Sequence, residues 1–265
     1  MKLLCTLGPA SLSDQVIADL EEVGASLFRL NLSHVDLERV AETVRYIQSR
    51  TEVPVCLDTE GSQDLHRTPG VKVRTHITPK DAAAFAIGRD LGVRHVALSF
   101  AHSADDVDEV RGLSLPGAAV IAKIECLAGL ASLHEIAKHA DALLIDRGDL
   151  SRQVPVERIP LTQKGIIAAA KRARVPVYVA TNLMESMTRD PVPTVAEAND
   201  VFNTMLDGAD GLVLAGETAI GKHPVECARM VRRLIHVYWQ SIDRDVPGSK
   251  PDYTVQPACS EVWVQ

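Results

Sequence analysis

Short apolar runs alternate with amphipathic stretches along most of the chain. Residues 2–7, 26–30, 53–57, 95–100, 120–124, 142–145, 175–180 and 211–215 read as buried strands. Between and after them, residues 13–22, 37–49, 79–91, 104–111, 127–139, 161–172, 195–206 and 224–240 read as helices. Thr194 and Glu197 are spaced as a capping box opening the seventh helix. Eight strands, each followed by a helix, predict a single (β/α)8 barrel of the TIM type over residues 1–240, with 241–265 as a C-terminal tail. A doubly wound sheet needs fewer units and a Gly-rich first turn, and Gly8-Pro9-Ala10-Ser11 is not that fingerprint.

Composition narrows the functional classes. A hydrophobic fraction of 46% and a charged fraction of 24% are ordinary for a globular protein. A net charge of −7 and the lack of a basic cluster argue against a nucleic-acid partner. No run approaches a membrane span, and the five scattered cysteines read as reduced thiols, so a cytoplasmic protein is expected.

In a barrel of this kind, chemistry belongs at the C-terminal ends of the strands. Those ends carry Arg29, Asn31, Ser33 and His34 on the second strand, and Asp58, Thr59 and Glu60 on the third. The fifth ends in Lys123-Ile124-Glu125, the sixth in Asp146-Arg147-Gly148-Asp149, the seventh in Thr181-Asn182 and the eighth in Gly216-Glu217-Thr218. Alternation along a strand points Lys123 and Glu125 the same way. One reading is a buried salt bridge. The other makes Glu125 and Asp149 ligands of a hard divalent cation, with Lys123 over a substrate, because Mg²⁺ is commonly held by one or two carboxylates plus substrate oxygens.

Cys5-Thr6-Leu7-Gly8-Pro9-Ala10-Ser11, Arg29-Leu30-Asn31-Leu32-Ser33-His34, Leu57-Asp58-Thr59-Glu60-Gly61 and Lys123-Ile124-Glu125 closely resemble motifs of the pyruvate kinase family. So do Arg147-Gly148-Asp149-Leu150, the stretch from Ala180 to Met187, Asp207-Gly208-Ala209-Asp210 and Gly216-Glu217-Thr218-Ala219, all in the family's order. The resemblance implies that Glu125 and Asp149 hold Mg²⁺ or Mn²⁺ and that Lys123 neutralises the phosphoryl group and the enolate oxygen. It implies Thr181 beside the reacting methylene and Arg29 meeting phosphate. Asn31, Ser33, Asp58 and Thr59 match a monovalent-cation site that takes K⁺. The amides of Gly148 and Asp149 would receive a substrate carboxylate, as helix starts favour.

The departures bear on function. The family's lid domain is replaced by the short segment 62–76, and only 241–265 follows the last helix in place of a C-terminal domain. Glu60 stands where the family has lysine, Gln63 for glutamate, Ala215 for serine, and Leu65 for an arginine whose place Arg67 can take. Asp146 replaces a small residue; it joins the metal shell, acts as a base, or is a hydrogen-bonded structural carboxylate. His66 and Arg67 lie in the shortened loop, as acid, base, anion clamp or solvated surface.

A chain keeping the pyruvyl half of the site and losing the nucleotide lid is expected to stabilise a pyruvate enolate. The leading expectation is a metal-dependent lyase, aldolase or decarboxylase releasing pyruvate from a 2-keto acid. The alternatives are a minimal phosphoenolpyruvate-dependent phosphotransferase with pyruvate kinase activity, and a non-catalytic 2-keto-acid binder. The apolar tail, with Tyr253, Val255, Val262 and Trp263, suggests a homo-oligomer.

Overall fold

The computed structural model describes residues 1–61 and 77–243. Eight strands, β1 (Lys2–Thr6), β2 (Leu27–Asn31), β3 (Val55–Asp58), β4 (His95–Leu98), β5 (Ala119–Ile124), β6 (Ala142–Asp146), β7 (Val177–Ala180) and β8 (Gly211–Leu214), run parallel. They close in sequence order into a barrel, with β8 paired to β1. The main outer helices are α1 (Asp14–Val23), α2 (Leu37–Gln48), α3 (Pro79–Asp90), α4 (Ala104–Leu113), α5 (Leu127–Ala131) and α6 (Leu133–His139). After β6 come the single turn α7 (Arg147–Leu150) and α8 (Ile159–Ala173), then α9 (Val195–Leu206), the single turn α10 (Gly216–Ala219) and α11 (Pro224–Asp243).

The predicted strands are all present, with ends shifted by up to two residues. The helix expected over 127–139 is instead two, because Ser132 leaves the helical region at φ −99°, ψ 9°. Gly129 lies there against the Ala101 carbonyl, so close that a Cβ would stand 2.5 Å from the oxygen. The Thr194–Glu197 capping box is formed, and two more open α3 (Thr78, Asp81) and α4 (Ser103, Asp106).

Alternation sorts every strand into two faces. Leu3, Phe28, Leu57, Leu98, Val120, Leu143, Val179 and Leu212 join the cluster under the helices. Leu4, Leu27, Cys56, Ala97, Ile121, Leu144, Tyr178 and Val213 fill the interior. The interior is a packed plug at one end, as the barrel geometry demands. Gly211 makes room for Tyr178, whose ring would sit 2.9 Å from an added Cβ. Two residues further along β1 to β6, the inward positions become Thr6, Arg29, Asp58, Ser99, Lys123 and Asp146. The same period that builds the plug therefore delivers a polar layer to the mouth.

Segment 62–76, with Arg67 and His66, and the tail 244–265 lie outside the described residues. Among the described residues, no helix is long and apolar enough to cross a membrane. Cys5, Cys56, Cys126 and Cys227 are buried free thiols, and burial pushes the Cys5 thiol up to about 12.

Candidate active site

The polar layer opens into a cavity of about 630 Å³ whose lining includes Arg29, Lys123, Asp146, Gly148, Asp149 and Thr181. These six are strand-end or strand-flanking groups that sequence reasoning placed at the mouth; Ser99 and Phe100, which also line the cavity, are not.

Arg29 is buried between β1 and β3. Its Nε donates to Thr6 Oγ1 at 2.9 Å and its Nη1 to Asp58 Oδ2 at 2.8 Å. The Thr6 hydroxyl donates to the Leu214 carbonyl at 2.9 Å, which ties β8 into the same chain of bonds. Ser99 joins β4 to β3: its amide donates to Thr59 Oγ1 at 2.8 Å and its hydroxyl to the Thr59 carbonyl at 2.8 Å. Asn31 Oδ1 accepts from the Ser33 amide at 2.9 Å and caps the short turn Leu32–His34. The four residues matched to a monovalent-cation site are thus adjacent across β2 and β3, with Asn31 opposite Asp58 in register.

Lys123 stands at the centre. Its Nζ donates to Ser99 Oγ at 3.1 Å and lies 3.2 Å from Glu125 Oε2 and 3.6 Å from both Asp58 Oδ2 and Asp146 Oδ2. Burial alone would lower its pKa, but the carboxylates of Asp58, Glu125 and Asp146 override it and hold the ammonium well above its ordinary value. The salt bridge read from alternation is present, and it is one edge of a larger cluster.

Glu125, just past β5, is fully buried. Its Oε1 accepts from the Phe100 amide at 2.6 Å. Phe100 adopts φ 53°, a left-handed conformation unusual for a side chain of this size, and that turn at the end of β4 aims the amide inward. Oε2 faces Lys123 and has no hydrogen-bond partner of good geometry among the described residues. Burial, against the pull of Lys123, pushes the Glu125 carboxyl up to about 8. An acid so placed favours a positive partner.

Asp146 is buried at the end of β6. Burial would raise its pKa; Lys123 and Arg29 outweigh that and keep it below the usual carboxylate value. Thr181 Oγ1 contacts Asp146 Oδ1 at 3.2 Å and accepts from the Gly148 amide at 2.7 Å. A substrate carboxylate at that amide must therefore displace the Thr181 hydroxyl. Thr181 and Asn182 both take positive φ, 66° and 52°. Arg147 fixes this turn: Nη2 donates to the carbonyls of Thr181 (2.7 Å) and Asn182 (2.9 Å), and Nη1 pairs with Asp200 at 2.7 Å. Strain of this kind persists only where the surroundings over-determine it.

One oxygen or more from each of Glu125, Asp146 and Asp149 lies within 4.8 Å of the others. All three donors are hard oxygens, and one belongs to a carboxylate with an unbonded buried oxygen, so the set suits Mg²⁺ or Mn²⁺. Asp149 also lies 3.3 Å from Arg152, which is largely exposed.

The remaining candidates make contacts of other kinds. Glu217 accepts from the amides of Met184 and Ala215, pinning the loops after β7 and β8. Met184 and Met187 are core. Glu60 pairs with Lys80 at 2.8 Å, while Asp81 accepts from the amides of Glu60 and Gly61 and so holds the turn after β3. His34 is exposed on the cavity rim.

Ser99, Phe100 and Thr6 escaped the sequence reading. Ser99 and Thr6 were visible as polar residues closing the fourth and first apolar runs. The inward aim of the Phe100 amide has no signal in residue type.

Residues 62–228 match the family described as pyruvate kinase, barrel domain. The chain is 37% identical over 238 residues to pyruvate kinase 2 of Synechocystis sp., a match taking in 87% of this chain and 39% of that protein. It is 31% identical over 327 residues to a pyruvate kinase of Geobacillus stearothermophilus, covering 88% and 56% respectively. With a pyruvate kinase of Mycobacterium intracellulare it shares 31% over 328 residues, covering 88% and 69%. The chain thus spans about half the length, or less, of the first two relatives. In the Geobacillus match, 88% of this chain is about 233 residues, so about 94 of the 327 aligned positions have no counterpart here.

Proposed function

The chain belongs to the pyruvate kinase family, and from that premise we propose that its barrel binds phosphoenolpyruvate and works through the enolate of pyruvate, in the phosphotransfer direction for which its relatives are named. The lyase or aldolase expected from the missing lid takes second place, because the relatives carry the kinase name. The observation that carries the reading is the cluster of Lys123 with Glu125, Asp146 and Asp149 at the ends of β5 and β6.

Glu125 and Asp149 hold the divalent cation. When bound there, the cation supplies Lewis-acid polarisation of the enol or keto oxygen. Lys123, kept charged by its three carboxylate neighbours, faces the oxygen on which negative charge grows and the phosphoryl group that leaves it. Preorganised charge of this kind costs no reorganisation at the moment of reaction. Arg29, aligned by Thr6 and Asp58, meets the phosphate. As the phosphoryl group passes to the acceptor, the C–C–O unit becomes an enolate, and Thr181 or a water it orients delivers the proton to the methylene carbon. Thr181 suits that role because Arg147 holds its backbone and Asp146 its hydroxyl. Asn31, Ser33, Asp58 and Thr59 hold K⁺ in this reading.

Phosphoryl transfer also needs the acceptor in line and water kept out. The second reading, pyruvate release from a 2-keto acid such as oxaloacetate, is favoured by Asp146, a carboxylate foreign to the family's pattern and in contact with Thr181. A lactate dehydrogenase-coupled assay with Mg²⁺ tests both. Pyruvate formed from phosphoenolpyruvate and ADP faster than from oxaloacetate supports the first; keto-acid cleavage alone, abolished in Lys123→Met, replaces it with the second.

A further inference from the structure

The geometry points to Asp146 as a third protein ligand of the divalent cation, one that lets the site fill before any pyruvyl ligand arrives. This deepens the proposed function and rests on its reading of Glu125 and Asp149 as ligands.

Asp146 is the departure from the family's pattern that stands among the candidate metal ligands. It is not a loop acid that drifts into range. Ala142, Leu144 and Asp146 are successive inward positions of β6, and Asp146 sits in register opposite Ala180. The strand therefore fixes its direction. Its carboxylate lies within 4.8 Å of oxygens from both Glu125 and Asp149, and its contact with Thr181 at 3.2 Å sets the orientation of the group. A neutral small residue at this place supplies none of that.

Charge makes the same case. The mouth holds two buried cations, Arg29 and Lys123, against the carboxyl groups of Asp58, Glu125, Asp146 and the half-buried Asp149, with the largely exposed Arg152 lying 3.3 Å from Asp149. Arg147, though close in sequence, turns away to Asp200 and the carbonyls of Thr181 and Asn182. Even with Arg152 counted, the carboxyl groups outnumber the cations by four to three, and that excess favours a divalent cation. With a neutral residue at 146, that excess is gone and the substrate's own oxygens must contribute more of the cation's shell. Selectivity and affinity among hard cations follow carboxylate number and site rigidity. The Oε2 of the fully buried Glu125 makes no hydrogen bond and faces only the Lys123 ammonium at 3.2 Å among the described residues, a second observation that suits a cation.

The test is calorimetric titration of the whole protein with Mn²⁺, with and without oxalate as a bidentate stand-in for the enolate. The variants are Asp146→Ala, Asp146→Asn, Glu125→Gln and Asp149→Asn, each checked for native circular dichroism. Asp146→Asn keeps the size of the side chain and an acceptor for Thr181 while removing the charge. In the absence of oxalate, both Asp146 variants are expected to bind Mn²⁺ at least tenfold more weakly than the wild type, with the gap narrowing when oxalate is present. Glu125→Gln and Asp149→Asn should lose binding in both conditions. If Glu125→Gln and Asp149→Asn lose Mn²⁺ while folded Asp146→Asn keeps wild-type affinity, the third-ligand assignment fails and the underlying reading stands. If the wild type does not bind Mn²⁺, or binds it equally in all four variants, the cation site itself fails and the proposal falls with it.

Discussion

The two sides of the barrel mouth are built from the same residue types to opposite ends. On the β1–β4 side, Thr6, Arg29, Asp58, Thr59 and Ser99 close on one another, and each buried polar group meets a partner within the chain. On the β5–β7 side, Glu125, Asp146 and Asp149 converge with a surplus of negative charge, and a Glu125 oxygen lacks a hydrogen bond. Lys123 is the seam, touching Ser99 and Asp58 on one side and Glu125 and Asp146 on the other. A satisfied network holds its members still; a charged cluster in surplus favours an ionic partner. The first side is therefore the more rigid one, holding Arg29 in place for phosphate, and the second is where the divalent cation and the enolate are proposed to sit.

Four substitutions break or sharpen that contrast. Lys123→Met removes the seam, and its largest effect should be on turnover: pyruvate formation is expected to fall by about 10²–10³-fold, the size associated with losing one preorganised charge-stabilising group. Arg29→Met should act on folding, since breaking one partner of a buried ion pair costs about 3–5 kcal/mol. The double variant Arg29→Met, Asp58→Leu should recover part of that loss in urea denaturation, as expected for a buried ion pair. Arg147→Lys keeps the charge but forfeits the fork on two carbonyls. It should cost about 1–3 kcal/mol through unsatisfied buried groups and reduce turnover by loosening Thr181, again read by denaturation and coupled assay. Thr194→Ala, remote from the mouth, should cost about 1 kcal/mol through its helix cap and leave kcat unchanged.

The fold was legible because the period of two continues from plug to mouth. Ile121, Lys123 and Glu125 are one inward row, and Ala142, Leu144 and Asp146 another, so the run of apolar residues announces where its polar end will point. The cap at Thr194 was legible for a similar reason, being local in sequence. What failed to show was either long-range or conformational. Ser99 matters because β3, β4 and β5 lie side by side, which no single run declares. The left-handed backbone at Phe100, Thr181 and Asn182 is imposed by Glu125 and by Arg147 from elsewhere in the chain, and none of the three is a glycine that would have marked it. The break at Ser132 was hidden because close contact between Gly129 and the Ala101 carbonyl is a property of packing.

The central claim is that Lys123 and a divalent cation on the β5–β6 side stabilise a pyruvate enolate. Loss of the pyruvate methyl signal in deuterium oxide, followed by proton NMR with Mg²⁺ present, reads that step without any phosphoryl acceptor. Exchange well above the protein-free rate, absent in Lys123→Met and on chelation of the metal, is the result expected. A wild-type protein that binds Mg²⁺ and pyruvate yet exchanges no faster than buffer contradicts the account.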